Sequence, residues 1–295
     1  MKELNGRLFE NIPLAKYTSW RVGGPARYLY EPKDSEDLIH FIKQLPPEEP
    51  LLFLGLGSNT LVRDTGVKAT VIITQGCLCK LELLDPMTIR AEAGVASPAF
   101  ARFSVRKNLS GAEFLAGIPG TIGGALMMNA GCHGTETWDI VKTVETVNRR
   151  GEKKIRFPNE YQIAYRNVSI FPDEYYLAAH FQLKQGNKAR SLEKIRSLLT
   201  HRTATQPTNE PSGGSVFRNP IGSYAAQLIE SSGLKGLKIG GASVSIKHAN
   251  FIVNDGHASA ADIETLIDKI IDVVFKTHHI QLIREIHIIG DHSSR

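Results

Sequence analysis

Strand-like and helix-like periods alternate along this chain without repeating a unit, and that alternation confines it to folds mixing α and β structure. Asp34, followed by Glu36, Asp37 and the apolar set Leu38, Ile39, Phe41, Ile42 and Leu45, predicts a capped helix that stops at Pro46-Pro47. Short apolar runs at Leu51–Leu54 and Thr70–Thr74 predict buried strands. Ser97-Pro98 predicts a helix start, with the hydroxyl as N-cap and proline in the first helical position. From about 142 to 185 the pattern is mainly strand-like, with Val144, Val147, Ile155 and Phe181 among its apolar positions, and a helix is expected from Ala189 to about His201. Thr203 to Gly222 then holds three prolines and three glycines, too long an irregular stretch to be idle. Ser259-Ala260-Ala261-Asp262 reads as a capping box opening a helix with the stripe Ile263, Leu266, Ile267, Ile270, Ile271 and Val274. A strand from Leu282 to Ile289 ends the pattern.

A chain of 295 residues suffices for roughly two ordinary domains. The boundary is expected near 190–200, ahead of the irregular stretch. No apolar run nears the ~18 residues of a spanning helix, and the first residues have no apolar signal core, which points to the cytoplasm. Cys77, Cys79 and Cys132 lack metal spacing and read as reduced, buried thiols; no metal site is expected. Lysine plus arginine (35) exceeds aspartate plus glutamate (30) by 5, with no polybasic block. Such a balance suits a few cations around a small anionic ligand better than a nucleic-acid surface.

Two glycine clusters invite comparison with phosphate-binding loops. Gly55-Leu56-Gly57-Ser58-Asn59-Thr60 comes directly after a strand but has Thr60 where a dinucleotide fingerprint needs its third glycine, and Leu61 to Asp64 read as strand rather than helix. Its glycines allow either an anion nest, assisted by Ser58 and Asn59, or a hairpin-like turn between core strands. Gly117-Ile118-Pro119-Gly120-Thr121-Ile122-Gly123-Gly124-Ala125 instead runs a rigid turn into a helix. There, N–H groups at the helix start, Gly123 and Gly124 among them, are expected to face a diphosphate; close packing of the loop is the alternative.

On its motifs, the chain resembles the UDP-N-acetylenolpyruvoylglucosamine reductase family. Thr18-Ser19-Trp20-Arg21-Val22-Gly23-Gly24-Pro25-Ala26 resembles its opening motif. Gly55 to Asp64 and Gly117 to Gly131 resemble its flavin-binding stretches, and Gly213-Gly214-Ser215-Val216-Phe217-Arg218-Asn219-Pro220 its catalytic-serine motif. Gly240 to Ser245, leading to His248-Ala249-Asn250-Phe251, and Leu282 to Gly290 resemble its later signatures. The short connection from Tyr165 to Ala189 is similar to the type II branch. The resemblance implies an α+β fold: an FAD-binding region of the vanillyl-alcohol-oxidase (PCMH) type, made of two α+β subdomains over 1–190, and a C-terminal α+β substrate-binding domain over 200–281. It also implies that the terminal strand 282–290 returns to the N-terminal region.

By the same resemblance, Arg166 holds the substrate carboxylate, Ser215 donates a proton and Glu285 is the acidic partner. FAD, held without a covalent bond, lies on Gly55, Gly57, Ser58 and Asn59 and on Ile118, Pro119, Gly120, Thr121, Gly123, Gly124 and Ala125. Tyr165, Arg202, Arg218, Asn219 and His248 are implied on the substrate side. Two departures stand out: Val168 where the family commonly has serine, and Arg218 where it commonly has lysine. The implied activity is NADPH-driven reduction of UDP-N-acetylglucosamine enolpyruvate to UDP-N-acetylmuramate, with no nucleic acid, membrane or obligate protein partner.

The residues agree in kind with that chemistry. Hydride addition to the vinyl carbon pushes charge into the carboxylate, where an arginine stabilises the transition state. Glu285, set in an apolar strand, is expected to be buried and its pKa raised. Another flavin oxidoreductase on the same scaffold, or a non-catalytic basic nucleotide-binding module, are the alternatives. The Ser215 and Glu285 motifs speak against the first, and a purified protein that carries flavin would speak against the second.

Overall fold

The computed structural model describes residues 4–291. The chain forms two compact units: one takes residues up to Glu10, Tyr28–Leu56 and Ala69–His201, the other Asn11–Arg27, Gly57–Lys68 and the chain from Arg202 onward. The division after His201 lies just past the boundary expected at 190–200, and two early segments group with the part beyond it.

The first unit has two hydrophobic clusters. One lies against an antiparallel sheet ordered Lys153–Arg156, Val141–Asn148, Glu174–Gln182, Thr88–Glu92, Leu81–Asp85. Helix Ser97–Arg106 packs Phe100 into this cluster, its ring 4.5 Å from that of Phe181. The expected cap is displaced: Ala96 is the N-cap, Ser97 is the first helical residue, and its buried hydroxyl has no partner. The other cluster gathers Tyr30, Leu38, Phe41, Ile42, Ile72 and Leu177. Helix Ser35–Gln44 forms there as its sequence predicts, with the Asp34 carboxylate accepting the Asp37 N–H at 2.9 Å. Strand Leu51–Leu54 runs parallel to Val67–Ile73, so the Gly55–Asn59 turn after it leads out of this sheet and is no hairpin. The cysteines are free, but none is fully buried; Cys79 is exposed.

In the second unit, strands Lys238–Ile239, Ala242–Val244 and Ile252–Asn254 form an antiparallel sheet. The Ser259–Asp262 capping box opens helix Ala260–His278, whose Ile263, Leu266, Ile267, Ile270 and Val274 are fully buried, while Ile271 is only partly so. Asp64 adds a second cap that local sequence does not reveal, accepting the N–H groups of Ala260 and Ala261 at 2.9 and 3.0 Å. The terminal strand is shorter than expected, His287–Ile289, and pairs in parallel with Thr60–Val62. Glycine at 290 and an irregular run before 287 leave only an isolated bridge, Phe217 to Arg284, ahead of it. Among the described residues no helix is long and apolar enough to cross a membrane.

Candidate active site

In the first unit, the strand end at Gly55 meets the loop at Gly117–Thr121. A Cβ on Gly55 would overlap the Thr121 hydroxyl, so glycine permits the approach. The expectation that Gly123 and Gly124 offer their N–H groups to a ligand needs correction. Helix Ile122–Met127 spends its first donors internally: Ile122 N–H on Val95 O (2.8 Å), Gly123 N–H on Ala93 O (2.8 Å) and Gly124 N–H on Thr121 Oγ1 (3.4 Å). Gly123 also packs tightly, since a Cβ there would lie 3.1 Å from Ala93. The donors left over lie slightly earlier. Among the described residues, the backbone N–H groups of Gly55, Leu56, Gly120 and Thr121 have no acceptor. Unpaired donors on glycine-rich backbone suit an anion such as a diphosphate. Gly124 is exposed, with only Thr121 Oγ1 near a hypothetical Cβ, at 3.8 Å. Ile118 and Ala125 flank this backbone, half-buried and buried, and Pro119 is exposed.

Arg166 belongs to the same unit. It sits at φ 54 in the turn joining Gln162–Ala164 to Asn167–Ser169. Its guanidinium donates to Asn129 O (3.2 Å) and Gly131 O (2.6 Å), lies 3.7 Å from Glu136 and 4.8 Å from the ring centre of exposed Tyr165. The arginine is thereby tied to the end of the glycine-rich loop. Val168, opposite Ile163, is buried in the core, which accounts for an apolar residue at that position; Ser169 beyond it is exposed.

The second unit brings Ser58, Asn59, Ser215, Arg218, Glu285 and His287 onto adjoining segments. Glu285 N–H donates to Val216 O at 2.8 Å, Arg218 N–H to Ile283 O at 2.9 Å, and His287 N–H to Asn59 O at 2.9 Å. Asn59 Nδ2 completes the join by donating to Glu285 O at 3.1 Å. Glu285 is half-buried rather than enclosed, because the chain before it is irregular and Ile283 is exposed. The Ser215 side chain has no hydrogen-bond partner among the described residues, so it does not cap its turn. Gly214, at φ 74, bends the loop just before it. Arg218 buries an Nε with no partner. Desolvation of the ring, then the Arg218 charge, pushes His287 below the ordinary imidazole range.

The remaining expected residues are less tightly grouped. Arg202 Nε donates to Gln206 at 3.2 Å, and Asn219 Oδ1 accepts the Ala225 N–H at 3.1 Å, fixing a helix start. His248 stacks edge-on against Phe251 at 4.8 Å; burial lowers its pKa, and its Nδ1 has no partner.

Sequence reasoning missed the latch formed by Ser19 and Trp20. Ser19 Oγ donates to Ser212 O at 2.6 Å and Ser19 N–H to Gly57 O at 3.2 Å. The fully buried Trp20 indole donates to Ile252 O at 2.8 Å, and a Cβ on Gly213 would collide with its six-membered ring. The opening motif carried the signal, but its partners lie far away in sequence.

Residues 26–154 match the FAD binding domain model, so the chain is a flavoprotein of the α+β class, with FAD as its cofactor. The unpaired Gly55, Leu56, Gly120 and Thr121 donors fit the anionic part of that group. Residues 206–289 match the UDP-N-acetylenolpyruvoylglucosamine reductase, C-terminal domain. The reductase of that name from Legionella pneumophila (strain Corby) is 59% identical over 98% of this chain and 94% of its own length. The one from Methylococcus capsulatus is 51% identical over 97% and 94%. The crystal structure of UDP-N-acetylenolpyruvylglucosamine reductase from Thermus caldophilus superimposes with a TM-score of 0.84 at 34% identity, covering 97% of this chain and 100% of that one. The chain belongs to the UDP-N-acetylenolpyruvoylglucosamine reductase family of oxidoreductases.

Proposed function

We propose that this chain uses NADPH to reduce UDP-N-acetylglucosamine enolpyruvate to UDP-N-acetylmuramate, a step in peptidoglycan precursor synthesis. The observation that carries this reading is the joining of the Ser215 loop to the Glu285 segment, through Glu285 N–H to Val216 O at 2.8 Å, with the serine hydroxyl unengaged.

FAD, when bound, supplies the hydride, chemistry that no side chain offers. Gly55 and Leu56, with Gly120 and Thr121, are the residues whose free backbone N–H groups would hold it, and Gly124 would border it. Arg166 binds the substrate carboxylate and stabilises the charge that develops there as the vinyl group is reduced. Its anchors on Asn129 O and Gly131 O fix the fork in advance, so little reorganisation is required at the transition state. Ser215 protonates the carbon beside the carboxylate. Its Oγ–H is a weak acid, but an enolate is basic enough to take the proton when the geometry is fixed. Glu285 returns a proton to the serine, directly or through water.

On the substrate side, Arg218 offers its unpartnered Nε, and Arg202 and Tyr165 flank the nucleotide. Asn219 contributes Nδ2, its Oδ1 being taken by Ala225. His248, held neutral by burial, serves as a hydrogen-bonding group. This is a cytoplasmic reaction that needs no membrane, nucleic acid or obligate protein partner. The test is the spectrum of the purified protein. A flavin absorbance that NADPH bleaches and the enolpyruvyl substrate restores anaerobically supports the reading. A colourless protein, or one whose reduced flavin is reoxidised by oxygen alone, defeats it.

A further inference from the structure

Among the described residues, eight other than glycine hold φ in the left-handed region. Six are asparagine, aspartate or histidine, whose short polar side chains are enriched there. The two others are Arg21 at φ 61 and Arg166 at φ 54. Glycine would relieve the Cβ crowding at either position, so a long cationic side chain kept there points to use of that side chain. Arg166 has its anchors. Arg21 is exposed, and among the described residues its side chain has no hydrogen bond or ion pair.

The backbone around Arg21 is held from several directions. Thr18 Oγ1 donates to Val22 O at 2.8 Å, and Asn254 Nδ2 to Trp20 O at 2.8 Å. Trp20 and Val22, on either side, are buried. Through Ser19 and Trp20 the turn contacts Ser212 and Gly213, which lead directly into Ser215. A cation with no structural partner is therefore fixed at the root of the loop that bears the proposed proton donor.

We propose that Arg21 recognises a phosphate group of a nucleotide that binds and leaves at the Ser215 loop. A guanidinium matches phosphate with paired, charge-assisted hydrogen bonds. The inference rests on the proposed function, which requires two such nucleotides: NADPH, and the uridine diphosphate sugar. The same phosphate chemistry serves either one.

The experiment uses the flavin-loaded protein and its Arg21→Ala, Arg21→Gly and Arg21→Lys variants. Calorimetry measures binding of NADP⁺, NAD⁺ and UDP-N-acetylglucosamine as probes, alongside kcat and KM. Arg21→Ala and Arg21→Gly are expected to weaken one probe by about tenfold or more, the scale of a lost charge-assisted contact. Flavin content should be unchanged, KM should rise for the nucleotide whose binding weakens, and Arg21→Lys should recover part of the loss. A loss for NADP⁺ but not NAD⁺ identifies the 2′-phosphate as the group, and a loss for UDP-N-acetylglucosamine identifies the sugar nucleotide's diphosphate. Arg21→Gly should unfold at a higher temperature than Arg21→Ala, because glycine adopts φ 61 freely. Unchanged affinity for all probes, or loss of flavin on Arg21→Ala, overturns the inference. Wild-type protein that binds the probes yet never transfers hydride would sink the proposed reaction, while Arg21 is still judged by the binding data.

Discussion

Gly213→Ala tests whether the Trp20 latch sets the shape of the Ser215 loop. The added Cβ would fall on Cη2, Cζ3 and Cε3 of an indole with no solvent exposure, whose Nε1 is bonded to Ile252 O at 2.8 Å. The ring cannot swing aside without breaking that bond, so the loop must move and strain Ser19 Oγ to Ser212 O. Overpacking a filled site costs about 1–3 kcal/mol, and one lost hydrogen bond about 1 kcal/mol more. Urea denaturation should therefore show a loss of about 2–4 kcal/mol, with reduction of substrate impaired more than reduction of flavin by NADPH. Trp20→Phe removes the obstructing ring at its own cost in cavity and hydrogen bond. In that background Gly213→Ala should cost at least about 1 kcal/mol less, since contacting residues couple. Additive effects, or a Gly213→Ala protein within about 0.5 kcal/mol of wild type and fully active, would show that Trp20 does not set the shape of the loop.

Arg166→Ala should leave flavin bound and reducible by NADPH while slowing substrate-driven reoxidation by about 10²–10³, read by stopped flow; equal slowing of both half-reactions would contradict the clamp. Gly124→Val has room within the chain itself, so it should fold normally yet purify flavin-poor if Gly124 borders the cofactor; full flavin occupancy would remove Gly124 from the site. Burial alone would raise Glu145, but hydrogen bonds from Arg90 (2.6 Å) and His180 (2.7 Å) outweigh it and hold the carboxyl at about 2. That value lies below the ordinary 4.5, so the stabilisation is complete above about pH 4.5 and drains away as the pH falls toward 2. The urea midpoint should thus fall from about pH 5 to about pH 3 in wild type and change less in Glu145→Gln.

How much of this was legible in sequence depended on range. Helix Ser35–Gln44 and the start of Ala260–His278 announce themselves through caps three residues apart, Asp34 with Asp37 and Ser259 with Asp262. Ser97-Pro98 misled by one position, because the bridge from Ala96 to Thr121 lets the helix start without a side-chain cap. The terminal strand was overread because Leu282 to Ile286 is apolar for packing, through Leu282 and Ile286, rather than for a ladder. At the glycine loop the motif pointed to the right segment but the wrong donors. Which N–H groups remain unpaired depends on Ala93 and Val95, nearly thirty residues upstream, and no local pattern encodes that. Arg166, Ser215 and Glu285 came from motif resemblance. Their anchoring by Asn129, Gly131 and Val216 is tertiary and emerged only from the structure.

The most direct test is one anaerobic turnover in D₂O: NADPH-reduced protein is mixed with UDP-N-acetylglucosamine enolpyruvate, and the product is read by mass spectrometry and proton NMR. One equivalent of UDP-N-acetylmuramate per flavin is expected, with deuterium on the carbon beside the carboxylate. Ser215→Ala should slow this step by about 10²–10⁴, and Ser215→Cys should recover part of the rate. No reduced product, or a Ser215→Ala protein that turns over as fast as wild type, would contradict this mechanism.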